Sequence, residues 1–213
     1  MLLLDWEDKI TPRYEPGIVK LPEPRYVSNT SIEKALLKRR SIRDYKDKPL
    51  TLSEVSQLLW AAQGITDPRG FRTAPSAGAL YPLELYIVAG NVNDLPHGIY
   101  KYKPHRHELA RVVEGDKRAE LCNAALGQAW VGSGAVVIVF SAVYERTTAK
   151  YGERDIRYVH IEVGHAAQNV YLQAISLNLG TVVVGAFYNN EVKKIMNMRD
   201  EEQPLCIMPV GRR

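Results

Sequence analysis

The chain has 213 residues, 46% hydrophobic and 24% charged, proportions that exclude a disordered or collagen-like polypeptide and allow one domain whose core needs no disulfide or metal. Twenty-eight Lys and Arg against 24 Asp and Glu leave a net charge of +4, which suits either a basic soluble surface or a site that holds an anion; it lacks the basic stripe with interleaved aromatics of a nucleic-acid binder. No apolar run is long enough to span a membrane, Asp5, Glu7 and Asp8 interrupt any signal peptide, and Cys122 and Cys206 form no CxxC pair; a cytoplasmic protein without a disulfide or zinc framework is expected.

Residues 1–29 contain Pro12, Pro16, Pro22 and Pro24 and show no clear period. They predict an extended arm over the body or over a partner subunit, followed by one domain from 30 to 213. Thr30-Ser31-Ile32-Glu33 has the form of a capping box and opens a helix with Ile32, Ala35, Leu36 and Leu37 on its apolar side. Thr51-Leu52-Ser53-Glu54 opens a second, with Leu52, Val55, Leu58, Leu59 and Ala62 at helical spacing and Gly64 as its stop. Residues 83–89 alternate as a strand, and 99–102 with 109–113 form a hairpin. Residues 116–126 are helical, and the valine-rich run 135–141 is a buried central strand. One long helix carries Ile156, Val159, Val163, Ala166, Ala167, Val170, Ala174 and Leu177 and ends near Gly180. A second central strand is expected over 181–187, a short helix capped by Asn190 through Met196, and a last strand over 205–210. The early hairpin breaks a strict βαβ order, so the expected class is α+β, a sheet packed by helices.

No GxGxxG and no GxxxxGK[ST] occurs, so Rossmann and P-loop phosphate sites are excluded. Arg39-Arg40-Ser41-Ile42-Arg43 remains. It reads either as a solvated basic helix end or as a phosphate cradle, since guanidinium groups bind phosphate oxygens in pairs. Pro75-Ser76-Ala77-Gly78 is either a plain turn or a small-residue loop that lets a flat ring approach the backbone. Gly185, inside the apolar run after Val184, marks a bulge or a close backbone approach, and the chain finishes with Arg212 and Arg213. The five histidines make no HExxH: His105 and His107 read as a solvated turn, His165 as a hydrogen-bonded core residue, and no metal site is expected.

These segments, in this order, resemble the FMN-dependent nitroreductase family, most closely its SagB-type (azoline oxidase, ThcOx-like) dehydrogenase branch. The resemblance covers residues 30–213. It also rests on Ala79-Leu80-Tyr81-Pro82-Leu83-Glu84, Gly127-Gln128-Ala129-Trp130, Tyr151-Gly152-Glu153-Arg154 and Gly164-His165-Ala166-Ala167-Gln168-Asn169. It implies a nitroreductase-like fold, with a central, mostly antiparallel mixed sheet flanked by helices, in an intertwined homodimer with FMN at the interface. Arg39, Arg40 and Ser41, helped by Arg212, would hold the phosphate and ribityl chain. Arg43 and Gln128 would face the pyrimidine edge, and backbone N–H groups at Val184 and Gly185 the opposite edge. Pro75, Ser76, Ala77 and Gly78 would come from the partner and cover the ring. Where many nitroreductases have an asparagine in this loop, this chain has Ala79, as the SagB-type branch does.

The resemblance further implies that Lys150 and Tyr151 remove a proton while hydride passes to the flavin; the plainer reading is a surface pair before a long helix. The expected function is two-electron, ping-pong oxidoreduction on a small-molecule substrate, with dehydrogenation of a small or peptide-derived heterocycle as the reaction. The alternatives are an NAD(P)H-dependent nitroaromatic or quinone reductase, with NAD(P)H as electron donor, and a flavin-binding protein without turnover. Neither a nucleic acid nor a membrane is expected as a partner.

Overall fold

The computed structural model describes residues 17–213; the first sixteen residues of the expected arm lie outside the described residues. In chain order the elements are β1 (Ile18–Lys20), α1 (Ile32–Lys38), α2 (Leu52–Gln63), β2 (Leu83–Ala89), β3 (Gly98–Lys103), β4 (Glu108–Glu114), α3 (Arg118–Ala124), α4 (Ala129–Ser133), β5 (Val136–Val143), α5 (Glu145–Tyr151), α6 (Asp155–Ser176), β6 (Leu179–Thr181), α7 (Asn189–Ile195) and β7 (Glu202–Arg212). The seven strands form one sheet in the order β1-β4-β3-β2-β5-β7-β6. Every pairing between these strands is antiparallel. The α+β class holds, and the mixed character shrinks to one isolated parallel bridge between Leu50 and Val92.

Both faces of the sheet are covered, which explains why β5 reads as a continuous valine-rich run: all eight of its residues are buried. On one face Leu83, Leu85 and Ile87 of β2 join Leu58 and Leu59 of α2 and Val159, Ala166 and Val170 of α6. On the other, Tyr86 and Val88 of the same strand join Leu121 of α3, Val131 of α4 and Val192 of α7. Each such Leu, Ile or Val side chain, fully buried, contributes on the order of 2 kcal/mol.

α2 starts as expected. Thr51 Oγ1 accepts from the Glu54 N–H (3.2 Å), and the Glu54 carboxylate accepts from the Thr51 N–H (2.8 Å). α1 differs: its cap is Ser31, whose Oγ accepts from the Lys34 N–H (3.2 Å), while the Thr30 N–H donates to Ser28 Oγ. The cap is therefore shifted by one residue, which puts Lys34 in the place of the box's acidic residue, while Glu33 hydrogen-bonds Ser31. α7 begins two residues earlier than expected, with Tyr188 rather than Asn190 at its cap position.

The second central strand over 181–187 does not form. β6 spans three residues at the sheet edge, and beyond it only Val184 bridges β7, at Ile207. The register Gly180↔Gly211, Thr181↔Val210, Val184↔Ile207 would set Val182 against Pro209. Proline has no N–H to donate, so the ladder opens there. The released stretch leaves Gly185 exposed. His107 is also not the solvated residue expected: its ring bonds Ser56 Oγ (2.7 Å) and Tyr102 Oη (2.9 Å). His165 is exposed rather than in the core. Among the described residues, no helix is long and apolar enough to cross a membrane.

Candidate active site

The arginine run leaves α1 and lies along the ends of β6 and β7. The Ile42 N–H donates to the Thr181 carbonyl (2.9 Å) and the Lys46 N–H to the Arg212 carbonyl (2.9 Å). Gly180 permits this approach, since a Cβ there would stand 2.7 Å from Ile42 Cγ2. Ser41 Oγ lies 3.1 Å from Tyr171 Oη on α6, and that oxygen accepts from the Val183 N–H (2.9 Å). The Arg39 guanidinium sits 5.3 Å from the centre of the Tyr171 ring, and that of Arg43 5.4 Å from the Trp130 ring. Among the described residues neither arginine has an ion-pair partner. Arg39, Ser41 and Arg43 thus share one surface with Val183 and its neighbours.

Other expected donors are engaged elsewhere. Arg212 forms a bidentate pair with Glu54 (2.6 and 2.8 Å) and donates to the Pro49 carbonyl, so its guanidinium is tied to the α2 capping box. Arg40 turns back onto the Leu37 and Arg39 carbonyls (3.1 and 2.6 Å). The Val184 N–H donates to Ile207 (2.8 Å) and is not open to a ligand. Gly185 beside it is open, with nothing within 4 Å of where a Cβ would stand. Gln128 Nε2 donates to the Ala125 and Ala186 carbonyls (2.8 and 2.9 Å), so this amide shapes the 184–186 stretch through its nitrogen.

The second cluster gathers around Pro75, Ser76, Ala77 and Gly78. Gly78, Ala79 and Tyr81 all have left-handed backbones, with φ of 63°, 55° and 47°, a conformation that costs ordinary residues about 1 kcal/mol or more each. The turn is held by Ser76 Oγ, which accepts from the Tyr81 N–H (2.9 Å), and by Arg72, whose N–H donates to Tyr81 Oη and whose guanidinium lies 4.4 Å from the Tyr81 ring. A Cβ on Gly78 would meet Tyr151 Oη at 2.7 Å and Lys150 Nζ at 2.8 Å. The loop and the Lys150–Tyr151 pair, distant in sequence, are therefore neighbours. Tyr151 packs edge-on to Tyr158 of α6 (5.1 Å), and Lys150 is exposed within the single chain.

Under the loop lies Glu162 of α6, 2% exposed, with Oε1 lacking any hydrogen-bond partner. Burial pushes its carboxyl up to about 7, against the opposing pulls of Ser76, the Arg72 charge and Gln63. Tyr171, Trp130 and Glu162 stand beside the expected site residues and were not among them. Tyr171 was hidden because an aromatic on the apolar stripe of a long helix signals core packing; its hydroxyl, which needs a partner when buried, was the available clue. Glu162 was hidden by the ordinary expectation that a helical glutamate faces water.

The two clusters lie at different levels of α6. Glu162 and Tyr171 are nine residues apart, about 13 Å along the axis at 1.5 Å per residue.

Residues 36–212 match the model of the Nitroreductase family. The Methanocaldococcus jannaschii protein MJ1384, which carries a nitroreductase name, is 50% identical over 195 residues, covering 92% of this chain and 96% of its own length. The microcin B17-processing protein McbC of Escherichia coli is 27% identical over 70% of this chain and 57% of its own. A Bacillus subtilis FMN reductase (NAD(P)H) is 23% identical over 84% of this chain and 64% of its own, so the chain spans less than two thirds of either protein. A crystal structure from Ralstonia eutropha, also under a nitroreductase name, superposes with a TM-score of 0.81 at 30% identity, covering 92% of this chain and 89% of that one. With the family model matched over nearly all of the described fold, the chain belongs to the nitroreductase family.

Proposed function

We propose that the protein is an FMN-dependent oxidoreductase that dehydrogenates a small or peptide-derived heterocycle, working as a homodimer. The donor set suits that cofactor. Two guanidinium groups without ion-pair partners among the described residues and a serine hydroxyl fit a phosphate and its ribityl chain, and the open backbone at Gly185 fits the edge of a flat ring. The chemistry that a bound FMN would supply is two-electron oxidoreduction, with hydride accepted from the substrate and the electron pair returned to a second small-molecule acceptor. Arg39 and Ser41 would hold the phosphate and ribityl chain, and Arg43 would place positive charge where negative charge develops. Lys150 and Tyr151 take the proton that leaves the substrate carbon. Pro75, Ser76, Ala77 and Gly78 cover the ring and exclude water.

The observation that best supports this reading is the close approach of Lys150 Nζ and Tyr151 Oη to Gly78, which brings an amine and a phenol beside the small-residue loop. The dimer is supported by the separation of the two clusters along α6 and by exposed apolar side chains on α1 and α6: Ile32, Leu36, Leu37, Ile156 and Ile161. A second copy would cover these side chains and bring one chain's loop to the other's arginines.

The test is anaerobic mixing of the FMN-loaded protein with thiazoline- or oxazoline-containing compounds while the flavin absorbance is followed. Bleaching is expected, slowed about 100-fold or more in Lys150→Ala. The relation to an FMN reductase favours a second reading, reduction of nitroaromatics or quinones by NAD(P)H. Rapid bleaching by NADPH, with none by any heterocycle, would establish that reading instead.

A further inference from the structure

α5 carries Lys150 and Tyr151, yet it is poorly equipped to hold them in place. It has seven residues, of which Thr147 is the buried one, and helices this short are not stable by themselves. Gly152 ends it with a backbone φ of 57°. Its attachments are therefore what fix the pair. At its start, Tyr144 Oη bonds His160 Nε2 of α6 (2.9 Å). At its end Tyr151 packs on Tyr158 of α6, and between these lies Arg146. One arm of its guanidinium donates to the Tyr81 carbonyl (3.1 Å), at the end of the left-handed turn, and the other is hydrogen-bonded to the Glu84 carboxylate on β2.

Glu84 is itself firmly placed. Lys101 Nζ on β3 bridges it (3.1 Å) to Glu202 on β7 (2.8 Å), and Glu202 also accepts from Tyr86 Oη (2.7 Å), Ser141 Oγ (3.2 Å) and Arg199 Nε (3.1 Å). Burial alone would raise the Glu84 carboxyl, but the Lys101 and Arg146 charges outweigh it and hold it at about 2. The ionic chain runs from the middle of the sheet to α5: Glu202 and Lys101 are buried, Glu84 is 15% exposed and Arg146 26%. Arg146 precedes Lys150 by about one helical turn, so the two side chains leave the same face of α5 and an anchor on one holds the turn that carries the other. The same guanidinium fixes the carbonyl end of the turn against which Lys150 and Tyr151 rest.

We propose that Arg146 is a positioning residue: by binding Tyr81 and Glu84 together it sets the Lys150–Tyr151 pair against the Gly78 turn. Its catalytic consequence rests on the reading of that pair as the proton acceptor; its structural consequence does not. A lysine in its place supplies charge without the two-armed fork and holds only one of the two partners.

Two measurements on the full FMN-loaded chain test this. The first is acetylation of Lys150 by an N-hydroxysuccinimide ester, followed by mass spectrometry, with Lys193 and Lys194 on α7 as internal references. Arg146→Ala should label at Lys150 several-fold faster than wild type with the references unchanged, and added guanidinium ion should restore slow labelling. The second is turnover of the heterocycle: kcat should fall about 10- to 100-fold with KM within about twofold, the size expected when a reacting group is misplaced by roughly 1 Å, and guanidinium should recover part of it. If Arg146→Ala does not fold, Arg146→Lys and Glu84→Gln take its place, with smaller effects in the same direction. Unchanged labelling and unchanged kcat in a folded variant would overturn the inference. Full activity of Lys150→Ala would instead remove the proton-acceptor reading, and the labelling experiment would still decide the role of Arg146.

Discussion

At the scale of single residues, charge burial determines what this site can do. Glu162 and Glu84 are both carboxylates near the same loop, yet their environments push them in opposite directions. Glu84 faces two cations and stays ionised. Glu162 has an oxygen with no partner and keeps its proton up to about 7. The sign of the pH effect follows. Between the ordinary 4.5 and about 7 the folded state binds the Glu162 proton and the unfolded state has released it, so stability is greatest below that window and declines as pH rises through it. Glu162→Gln keeps a neutral side chain of the same shape. Urea unfolding at pH 5 and pH 8 should show wild type losing about 1–3 kcal/mol of this contribution and the variant losing much less; parallel losses in both proteins would contradict the assignment. The arginines were legible from the sequence as a cluster but not individually. Arg39 and Arg43 lie over aromatic rings, whereas Arg212 is drawn to Glu54, because capping-box carboxylates are not visible as ion-pair partners across 158 residues.

At the scale of elements, periodicity and capping chemistry located most of the helices and strands. α2 follows from its box and its apolar stripe, and β5 from its run of valines, since burial on both faces leaves no polar residue in it. The failures have local causes. The α1 cap moved to Ser31 because Thr30 is engaged with Ser28. The strand over 181–187 was broken by Pro209, a residue on its neighbour that no reading of 181–187 alone includes. The left-handed turn after Ser76 was legible only as small residues between prolines; that it presses on Lys150 and Tyr151 is a tertiary fact. Gly78→Ala should therefore act through that contact. Its Cβ would require Tyr151 and Lys150 to move from 2.7 and 2.8 Å, and the left-handed backbone adds about 1 kcal/mol of strain. Heterocycle turnover should fall at least about tenfold while bound FMN stays reducible by dithionite; wild-type turnover would show that the contact has no functional role. Thr51→Ala should lower stability by about 1 kcal/mol in urea unfolding, the usual cost of a lost cap.

At the scale of the whole molecule, the sheet is sealed on both faces, yet α1 and α6 show apolar side chains to solvent. Leu37 is 74% exposed and Ile32 55%. In the proposed dimer these meet a second copy. Leu37→Asp alters no core contact, so the fold should survive while light scattering shows a shift from dimer to monomer and FMN binds less tightly. A monomeric wild type that holds FMN as firmly would contradict the shared site.

The most direct measurement is titration of the FMN-free protein with FMN, read by quenching of flavin fluorescence, for wild type, Arg39→Gln and Arg40→Gln. Arg39 lies over Tyr171 without an ion-pair partner among the described residues, and Arg40 is folded onto its own helix end. We expect saturable binding by wild type, at least about tenfold weaker binding by Arg39→Gln, as for loss of a charge-assisted hydrogen bond, and no change in Arg40→Gln. Wild-type protein that leaves the fluorescence of FMN unquenched, or Arg39→Gln that binds it equally well, would contradict the assignment of this surface to the cofactor.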